Sequence, residues 1–222
     1  MKIQDLHNRL LELPLFQGMS RNDISEAISE IKFIPLSYSR NKVVINEGDL
    51  CDKLYFQLEG TMISVYFSDD KAYSIREKMY APNIIEPERI FGLTQRYTGT
   101  YKAAEQCNFI YITKRDILSL ADKYEIFRLN MLNIICTRSQ RLARMVWKVK
   151  PQDIRSKIVH FITARCRRPA GEKAVSITME RLASEIGESR LNVSRELNAM
   201  HKEGIITLKR GEIVISALEK LL

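Results

Sequence analysis

The spacing of hydrophobic residues changes twice along the chain. Apolar residues recur every three or four positions in residues 3–13 and again after Ser20, which predicts two amphipathic helices. From Phe33 to Ile112, short apolar runs alternate with polar residues and are separated by turn residues, the pattern of an antiparallel sandwich or roll. Helical spacing then returns, and the chain ends in two short alternating runs. This order predicts an α+β protein.

Within the predicted roll, two runs show the alternation most clearly. After a turn at Glu59-Gly60 the alternation of the first run resumes, and the alternating apolar residues are Leu54, Phe56, Leu58, Ile63, Val65 and Phe67. The segment Ala81 to Gly99 has two prolines and little alternation. We therefore expect a loop with a short helix there, and the opening of any small-molecule pocket.

Two helices are predicted after the roll. The first begins at Thr113, with Asp116 three residues on, and is expected to turn Ile117, Leu118 and Leu120 inward. The second runs from about residue 125 to residue 148 and contains no glycine or proline.

The longer helix carries a coiled-coil seam. The seam residues are spaced alternately by three and four positions: Leu132, Ile135, Ser139, Leu142, Val146 and Val149. A helix of this length spans about 36 Å, more than a small roll covers. We therefore expect it to pair with its copy in a homodimer; the alternative is a helix packed only within its own chain.

The C-terminal segment has the pattern of two short helices followed by a hairpin. Pro151 marks a hinge, a helix is predicted from Asp153 to about Arg165, and residues 167–171 form an exposed basic loop. Helices over residues 179–186 and 190–202 follow the capping residues Thr178 and Ser189, with Gly187 ending the first. Short strands are predicted over residues 205–208 and 212–215. This is the layout of a winged helix-turn-helix.

The second of these helices presents a polar face opposite its buried stripe. Arginine suits the reading of guanine because its planar fork matches two acceptors in the major groove, and a cationic wing tip can lie on phosphate. The alternative is an ordinary helical hairpin with a solvated basic face, but the caps, the glycine turn and the arginine face together favour DNA. The candidate DNA-binding residues are Thr178, Ser189, Arg190, Leu191, Asn192, Ser194, Arg195, Lys209 and Arg210.

The net charge of +8 is concentrated in the C-terminal part of the chain. Residues 1–120 hold 15 Lys and Arg against 16 Asp and Glu, whereas residues 121–149 hold 6 against 2 and residues 150–222 hold 14 against 9. A neutral N-terminal half and a basic C-terminal part are expected when only the latter lies on phosphate.

Composition excludes several other classes of protein. No apolar run approaches the length of a membrane span, and the charged N-terminus is unlike a secretory signal, so we expect a cytoplasmic protein with no membrane partner. The four cysteines, Cys51, Cys107, Cys136 and Cys166, form no C-x-x-C pair and have no histidine nearby. Unreactive thiols are predicted, with a redox sensor as the alternative, and no metal or cofactor is expected.

With this order established, the chain resembles the Crp/Fnr family of bacterial transcription regulators over nearly its whole length. The resemblance rests on LPLFQGMS, NEGDLCDKLYFQLEG, IFGL at residues 90–93 and, most specifically, IGESRLNVSREL at residues 186–197. It implies a cyclic-nucleotide-binding-like roll (residues 1–120), a dimerisation helix (121–149) and a DNA-binding domain (150–222). It also implies a homodimer on a palindromic operator, a signal sensed in the roll, and contact with RNA polymerase.

Two departures from the family pattern bear on specificity. Arg190 and Arg195 stand where the family places base- and phosphate-contacting arginines, but Leu191 replaces a base-reading glutamate. Leucine accepts no hydrogen bond from cytosine, so we expect a different operator. In the roll, Leu93 follows Gly92 where members that bind cyclic AMP carry a ribose-binding glutamate, and the nearest cation is Lys102.

These departures make cyclic AMP a poor fit as the effector, because an unpaired ribose hydroxyl in an apolar pocket costs about 1–3 kcal/mol. We therefore expect that an effector sensed in the roll, if there is one, is a small molecule other than cyclic AMP. Its candidate pocket residues are Gly92, Leu93, Lys102, Ala103, Arg138 and Leu142.

Two other functions compete with a DNA-binding regulator. A roll-shaped metal enzyme needs several His and carboxylate ligands, but residues 33–112 contain no histidine and no catalytic residue is predicted. A cyclic-nucleotide-binding-like module that regulates a protein partner without DNA would leave the basic C-terminal part unexplained. Salt-dependent, sequence-selective binding to duplex DNA distinguishes the regulator from this module.

Overall fold

A computed structural model describes residues 3–146 and 151–221 of the chain. Its α-helices are α1 (Ile3–Glu12), α2 (Arg21–Glu30), α3 (Lys114–Lys123), α4 (Glu125–Val146), α5 (Ile154–Arg165), α6 (Met179–Ile186) and α7 (Arg190–Lys202). Its strands are β1 (Ile34–Tyr38), β2 (Val43–Ile45), β3 (Lys53–Glu59), β4 (Thr61–Phe67), β5 (Ser74–Tyr80), β6 (Asn83–Ile84), β7 (Thr100–Ala103), β8 (Cys107–Thr113), β9 (Lys173–Ser176), β10 (Thr207–Lys209) and β11 (Glu212–Ile215). The predicted α+β class is confirmed.

The chain forms two compact units, and each is assembled from two stretches of sequence. The first unit consists of Met1–Met62 and Met79–Arg144, and the second of Ile63–Lys78 and Met145–Leu222. The second unit therefore includes most of the β4–β5 hairpin, which belongs by sequence to the predicted roll. The sequence predicts continuous domains with boundaries at residues 120 and 150, without this exchange of the hairpin. Those boundaries stay a prediction.

The first unit holds antiparallel β structure and the N-terminal helices. One sheet has the order β1-β8-β3-β6, with Leu54 opposite Ile112 and Phe56 opposite Ile84, and β2 pairs with β7. Phe16 packs against three other rings, with centroids 5.3 to 6.2 Å apart, and so ties the N-terminal segment to the strands and to α4. The predicted antiparallel roll is confirmed.

Helix starts in the first unit follow the predicted capping residues. The backbone N–H of Asp23 donates to the Ser20 hydroxyl at 3.1 Å and that of Asp116 to the Thr113 hydroxyl at 3.3 Å, and each Asp carboxylate accepts in return. Each reciprocal pair of hydrogen bonds forms a capping box, which satisfies two N–H groups that the first helical turn leaves unpaired. The sequence thus places both helix starts correctly.

Two predicted apolar faces turn out differently. Leu118 is 54% exposed, whereas Ile117 and Leu120 are buried, so its assignment to the inner side of α3 was wrong. In β4 the buried positions are Met62 and Ser64, while Ile63 and Val65 are only half-buried and Phe67 is 46% exposed.

The second unit packs α5, α6 and α7 around a five-stranded antiparallel arrangement in the order β10-β11-β9-β5-β4. Strand β9 links the two parts, since Val175 lies opposite both Ile75 of β5 and Ile213 of β11. The core contains Ile158, Phe161, Leu182, Val193, Leu197 and Met200 with these strand residues. Strand β9 is absent from the sequence prediction, which has only a loop leading to Thr178.

A buried charge cluster holds β5 to β9. The Lys173 ammonium lies 3.1 Å from the Glu77 carboxylate, and both side chains are at most 1% exposed. Glu77 also accepts the backbone N–H groups of Arg167 and Arg168 at 2.5 and 3.2 Å, and Lys173 donates to the Ala170 carbonyl at 2.9 Å. The predicted exposed basic loop is therefore anchored through its backbone. We call Glu77, Lys173 and their partners the Glu77 cluster.

Candidate nucleic-acid interface

Helix α6 begins and ends at the predicted residues. The Thr178 hydroxyl accepts the N–H of Arg181 at 3.1 Å, and Gly187 ends the helix in the left-handed conformation with φ +67°. A residue with a Cβ is strained at such a φ, so glycine suits the sharp turn. The turn sets the direction in which α7 leaves.

Helix α7 has one buried stripe and one exposed face. The Ser189 hydroxyl accepts the N–H of Asn192 at 3.2 Å and so caps the helix. The stripe of Val193, Leu197 and Met200 is buried in the core of the second unit. Because the stripe fixes the rotation of the helix, its other side is presented to solvent.

The candidate DNA-binding residues of α7 lie on that exposed side. Arg190 is 68% exposed, Leu191 is 59% exposed, and Arg195 is also exposed. Asn192 and Ser194 are half-buried, and the Ser194 carbonyl accepts a hydrogen bond from the Asn198 amide at 2.7 Å. The N-terminal half of α7 therefore presents two guanidinium groups and one apolar side chain.

The wing lies in β10, β11 and the turn between them. Lys209 and Arg210 are exposed, and Gly211 adopts φ +70° at the turn. Strand β11 matches the predicted range, whereas β10 begins and ends slightly later than predicted. Two cations thus stand at the wing tip.

A cleft of about 450 Å³ brings the helix and wing residues together. It is lined by Ile177, Thr178, Met179, Glu180, Arg190, Lys209, Arg210, Gly211, Glu212 and Ile213. We call it the α6–wing cleft. Residues that are far apart in sequence, Arg190 and Lys209 among them, share this one concave surface, which can receive an anionic backbone.

Ion pairs with α5 neutralise three of the acidic residues near α7. Arg155 bonds both Glu196 and Glu203, and Lys157 bonds Glu188, at 2.6 to 2.7 Å. The hydrogen bonds from Arg155 lower the pKa of the Glu203 carboxyl, which favours its charged form. The negative charge on α7 is therefore balanced within the unit.

Comparison with known proteins shows what the C-terminal domain is and what the whole chain is similar to. Residues 140–222 match the model of a Crp-like helix-turn-helix domain. The chain is 22% identical over 209 residues to the cyclic AMP receptor protein of Thermus thermophilus, covering 91% of this chain and 92% of that protein. It is 23% identical over 194 residues to the global nitrogen regulator of Nostoc sp., covering 81% and 83%. Residues 140–222 are therefore a Crp-like helix-turn-helix domain, and the whole chain is similar to transcription regulators of the Crp/Fnr type.

Two solved structures share the fold of this chain. The catabolite activator protein of Thermus thermophilus is similar with a TM-score of 0.51 and 19% identity, covering 94% of this chain and 96% of that one. The sensor domain of the regulator DNR from Pseudomonas aeruginosa is similar with a TM-score of 0.54 and 17% identity, covering 69% of this chain and all of that domain.

The candidate effector residues do not share one environment. Ala103 is fully buried, whereas Leu93 and Leu142 are exposed and Lys102 points to solvent from β7. Gly92 has φ +94° with open space beside it, and the Arg138 guanidinium is paired with Glu88. Their joint role as an effector pocket stays a prediction.

The roll contains a buried polar group, Glu86, that the sequence does not predict. Glu86 is 5% exposed, and its carboxylate accepts hydrogen bonds from the Thr98 N–H and hydroxyl at 3.0 and 2.9 Å and from the Tyr101 hydroxyl at 2.7 Å. The sequence predicts only a loop with a short helix in this segment. No sequence signal marks this burial, because the donors come from another part of the chain.

The described residues can also be searched for reactive thiols, metal ligands and membrane-spanning helices. All four cysteines are free thiols, and Cys136 alone is exposed. Burial raises the pKa of the Cys51 thiol to about 11, which disfavours the reactive thiolate. Over residues 3–146 and 151–221, no cluster of three potential metal ligands occurs, and no helix is long and apolar enough to cross a membrane.

Proposed function

We propose that this protein is a transcription regulator of the Crp/Fnr type that binds a palindromic operator sequence-specifically as a homodimer. The observation that carries the proposal is the α6–wing cleft, where Arg190 of α7 and the wing residues Lys209 and Arg210 line one surface. A base-reading guanidinium beside phosphate-binding cations is the arrangement that recognition of the major groove requires. The proposal rests on DNA-contacting roles for the nine candidate residues.

Substitutions in this cleft are expected to have different effects according to role. Arg190→Ala should weaken operator binding by about 1–3 kcal/mol and relax the choice of base at one position, since it removes a base contact. Lys209→Ala should weaken binding to all duplexes alike and flatten the salt dependence, since it removes a phosphate contact. Titration of labelled operator and single-base variants at several salt concentrations measures both effects. Equal loss of base discrimination in the two variants would contradict these roles.

The exposed seam of α4 supports the homodimer. Leu132 is 51% exposed and Leu142 is 63% exposed within a single chain, and Ile135 is half-buried. Apolar residues at this spacing are buried when two copies of a helix pair. The seam residue Val149, the helix residue Lys148 and the hinge residue Lys150 lie outside the described residues.

Introducing charges into the seam tests the homodimer. Leu132→Asp with Leu142→Asp should yield a monomer and lower operator affinity by about 100-fold or more, because binding of two linked half-site readers is lost. Sedimentation equilibrium and operator titration measure the two results. Leu118→Asp is the matched control, because Leu118 is an equally exposed leucine that lies on α3, outside the seam. A dimer that survives the seam charges would contradict the assignment of this interface.

Regulation is proposed to act through the connections between the units. The chain passes between them at residues 62–63, 78–79 and 144–145, so the β4–β5 hairpin can carry a change in the roll in addition to the predicted hinge at residues 150–153. A small effector would act by favouring one of two arrangements, and the bound dimer would contact RNA polymerase.

Selection of bound duplexes from a random pool, repeated with candidate effectors, identifies both the operator and the effector. A preferred palindrome is the expected result, with binding that changes when the effector is added. Identical operator affinity and small-angle scattering with and without ligands from cell extract would instead indicate a constitutive binder. Binding that ignores sequence would overturn the proposed function.

A further inference from the structure

Glu180 is a carboxylate on the surface that is proposed to face DNA. It lies in the first turn of α6, lines the α6–wing cleft and is 66% exposed. The other carboxylate of the cleft, Glu212, is 17% exposed and is already paired with Arg76. Glu180 instead contacts Arg190, with its Oε1 2.8 Å from the Arg190 Nε.

This placement is unfavourable for general affinity to DNA. A carboxylate beside a phosphate backbone adds repulsion, whereas Lys209 and Arg210 of the same cleft add attraction. Nor does the fold need the contact, because an ion pair between two exposed side chains contributes little to stability. An acidic residue in a first helical turn interacts favourably with the helix dipole, but any first-turn position would serve for that.

The geometry of the contact indicates a role. The Glu180 carboxylate forms an ion pair with the Nε of Arg190, which lies on one side of the guanidinium group. A bidentate contact with guanine O6 and N7 can be made by the two terminal NH₂ groups, so the carboxylate does not compete with the base. Holding a long side chain in one orientation also reduces the rotamer entropy lost on binding.

We propose that Glu180 is a positioning residue that fixes the Arg190 guanidinium for reading one base of the operator. The proposal rests on the proposed function, since it requires that Arg190 reads a base. On DNA the pair loses solvent, which strengthens the interaction between its charges. Glu180 therefore exchanges some general affinity for selectivity at one base pair.

The test is a double-mutant cycle on the full-length protein. The operator comes from pool selection, and the base read by Arg190 is the position at which Arg190→Ala loses discrimination. Discrimination at that position and affinity for unrelated duplexes are then measured for Glu180→Gln, Glu180→Ala and each of these combined with Arg190→Ala. Glu203→Gln is the matched control, because it removes the same charge from a pair with Arg155 near the other end of α7. Thermal unfolding of each variant checks folding.

The expected result is a loss of discrimination at the Arg190 position by about 3- to 10-fold in Glu180→Ala, with affinity for unrelated duplexes unchanged or raised. Glu180→Gln should lose less, because its amide oxygen can keep a polar contact with Nε although the charge is gone. Both losses should vanish in the Arg190→Ala background, and Glu203→Gln should change nothing.

Three outcomes would overturn the proposal. Stronger binding to all duplexes with unchanged discrimination would make Glu180 a merely repulsive group. Loss of discrimination that persists without Arg190 would make it a base reader in its own right. If the wild type discriminates but Arg190→Ala does so equally well, there is no base contact to position. A wild type that ignores sequence would refute the proposed function and this proposal together.

Discussion

Lys173→Met is expected to destabilise the second unit by about 3–5 kcal/mol, because it leaves the Glu77 carboxylate buried without its cation. Glu77 is 1% exposed, and the two backbone N–H groups that it accepts do not supply a compensating charge. Because β5 pairs with β9 at this position, the loss also weakens the docking of the hairpin on the sheet that supports α6 and α7. Operator affinity should fall with stability.

Chemical unfolding followed by circular dichroism measures this loss. Lys78→Met is the matched control, since Lys78 pairs with Glu172 at the surface and its removal should cost less than about 1 kcal/mol. Replacing both partners, Glu77→Leu with Lys173→Met, should recover part of the stability, because no buried charge then remains. A loss in Lys173→Met no larger than in the control would contradict the role given to the Glu77 cluster.

Gly60→Ala is expected to destabilise the first unit by about 2–5 kcal/mol, the sum of left-handed strain and overpacking. Gly60 has φ +86°, and a Cβ there would lie 2.3 Å from the Gln106 carbonyl oxygen and 2.8 Å from the Cys107 Sγ. The carbonyl belongs to the backbone, so it can move away only if the β3–β4 turn or the start of β8 shifts.

Gly48→Ala separates the two contributions. Gly48 has φ +85° and no atom within 4 Å of its Cβ position, so its replacement should carry the strain alone, about 1–2 kcal/mol. The unfolding midpoints of the two variants in urea give the comparison. Equal losses would mean that the close approach at Gly60 is relieved without cost.

The helix-turn-helix could be predicted from the sequence because its determinants are local. Thr178, Gly187 and Ser189 fix the ends of α6 and the start of α7 within twelve residues, and all three act as predicted. The capping boxes at Ser20 and Thr113 are equally local. Capping is satisfied by neighbours in sequence, so no knowledge of the distant chain is required.

Pairing between distant segments could not be predicted in the same way. Strand β9 is four residues long and pairs with β5, and Glu77 and Lys173 are 96 positions apart. The sequence contains no periodic pattern that would signal the burial of these two charged residues. It also contains none that would signal that the hairpin belongs to the second unit. The same limit applies to Glu180, since its contact with Arg190 depends on the turn between α6 and α7.

The buried faces of α3 and β4 were predicted incorrectly for a different physical reason. Successive residues of a helix are about 100° apart, so Leu118 cannot share the inner face fully with Ile117, and it is exposed. In β4 the alternation was recognised, but apolar residues such as Phe67 occupy the less buried side while Ser64 is buried. Alternation identifies a strand without deciding which side is covered.

The second unit is assembled from two separate stretches of sequence, and this has a consequence for synthesis of the protein on the ribosome. Strand β5 emerges 96 positions before the partner of Glu77 has been made. At typical translation rates this interval lasts roughly 5–20 seconds. During that time the nascent chain exposes an unpaired strand edge and an uncompensated carboxylate, which favours association with other chains or with a chaperone. Slowing translation between the codons for residues 78 and 173 should therefore lower the yield of folded protein.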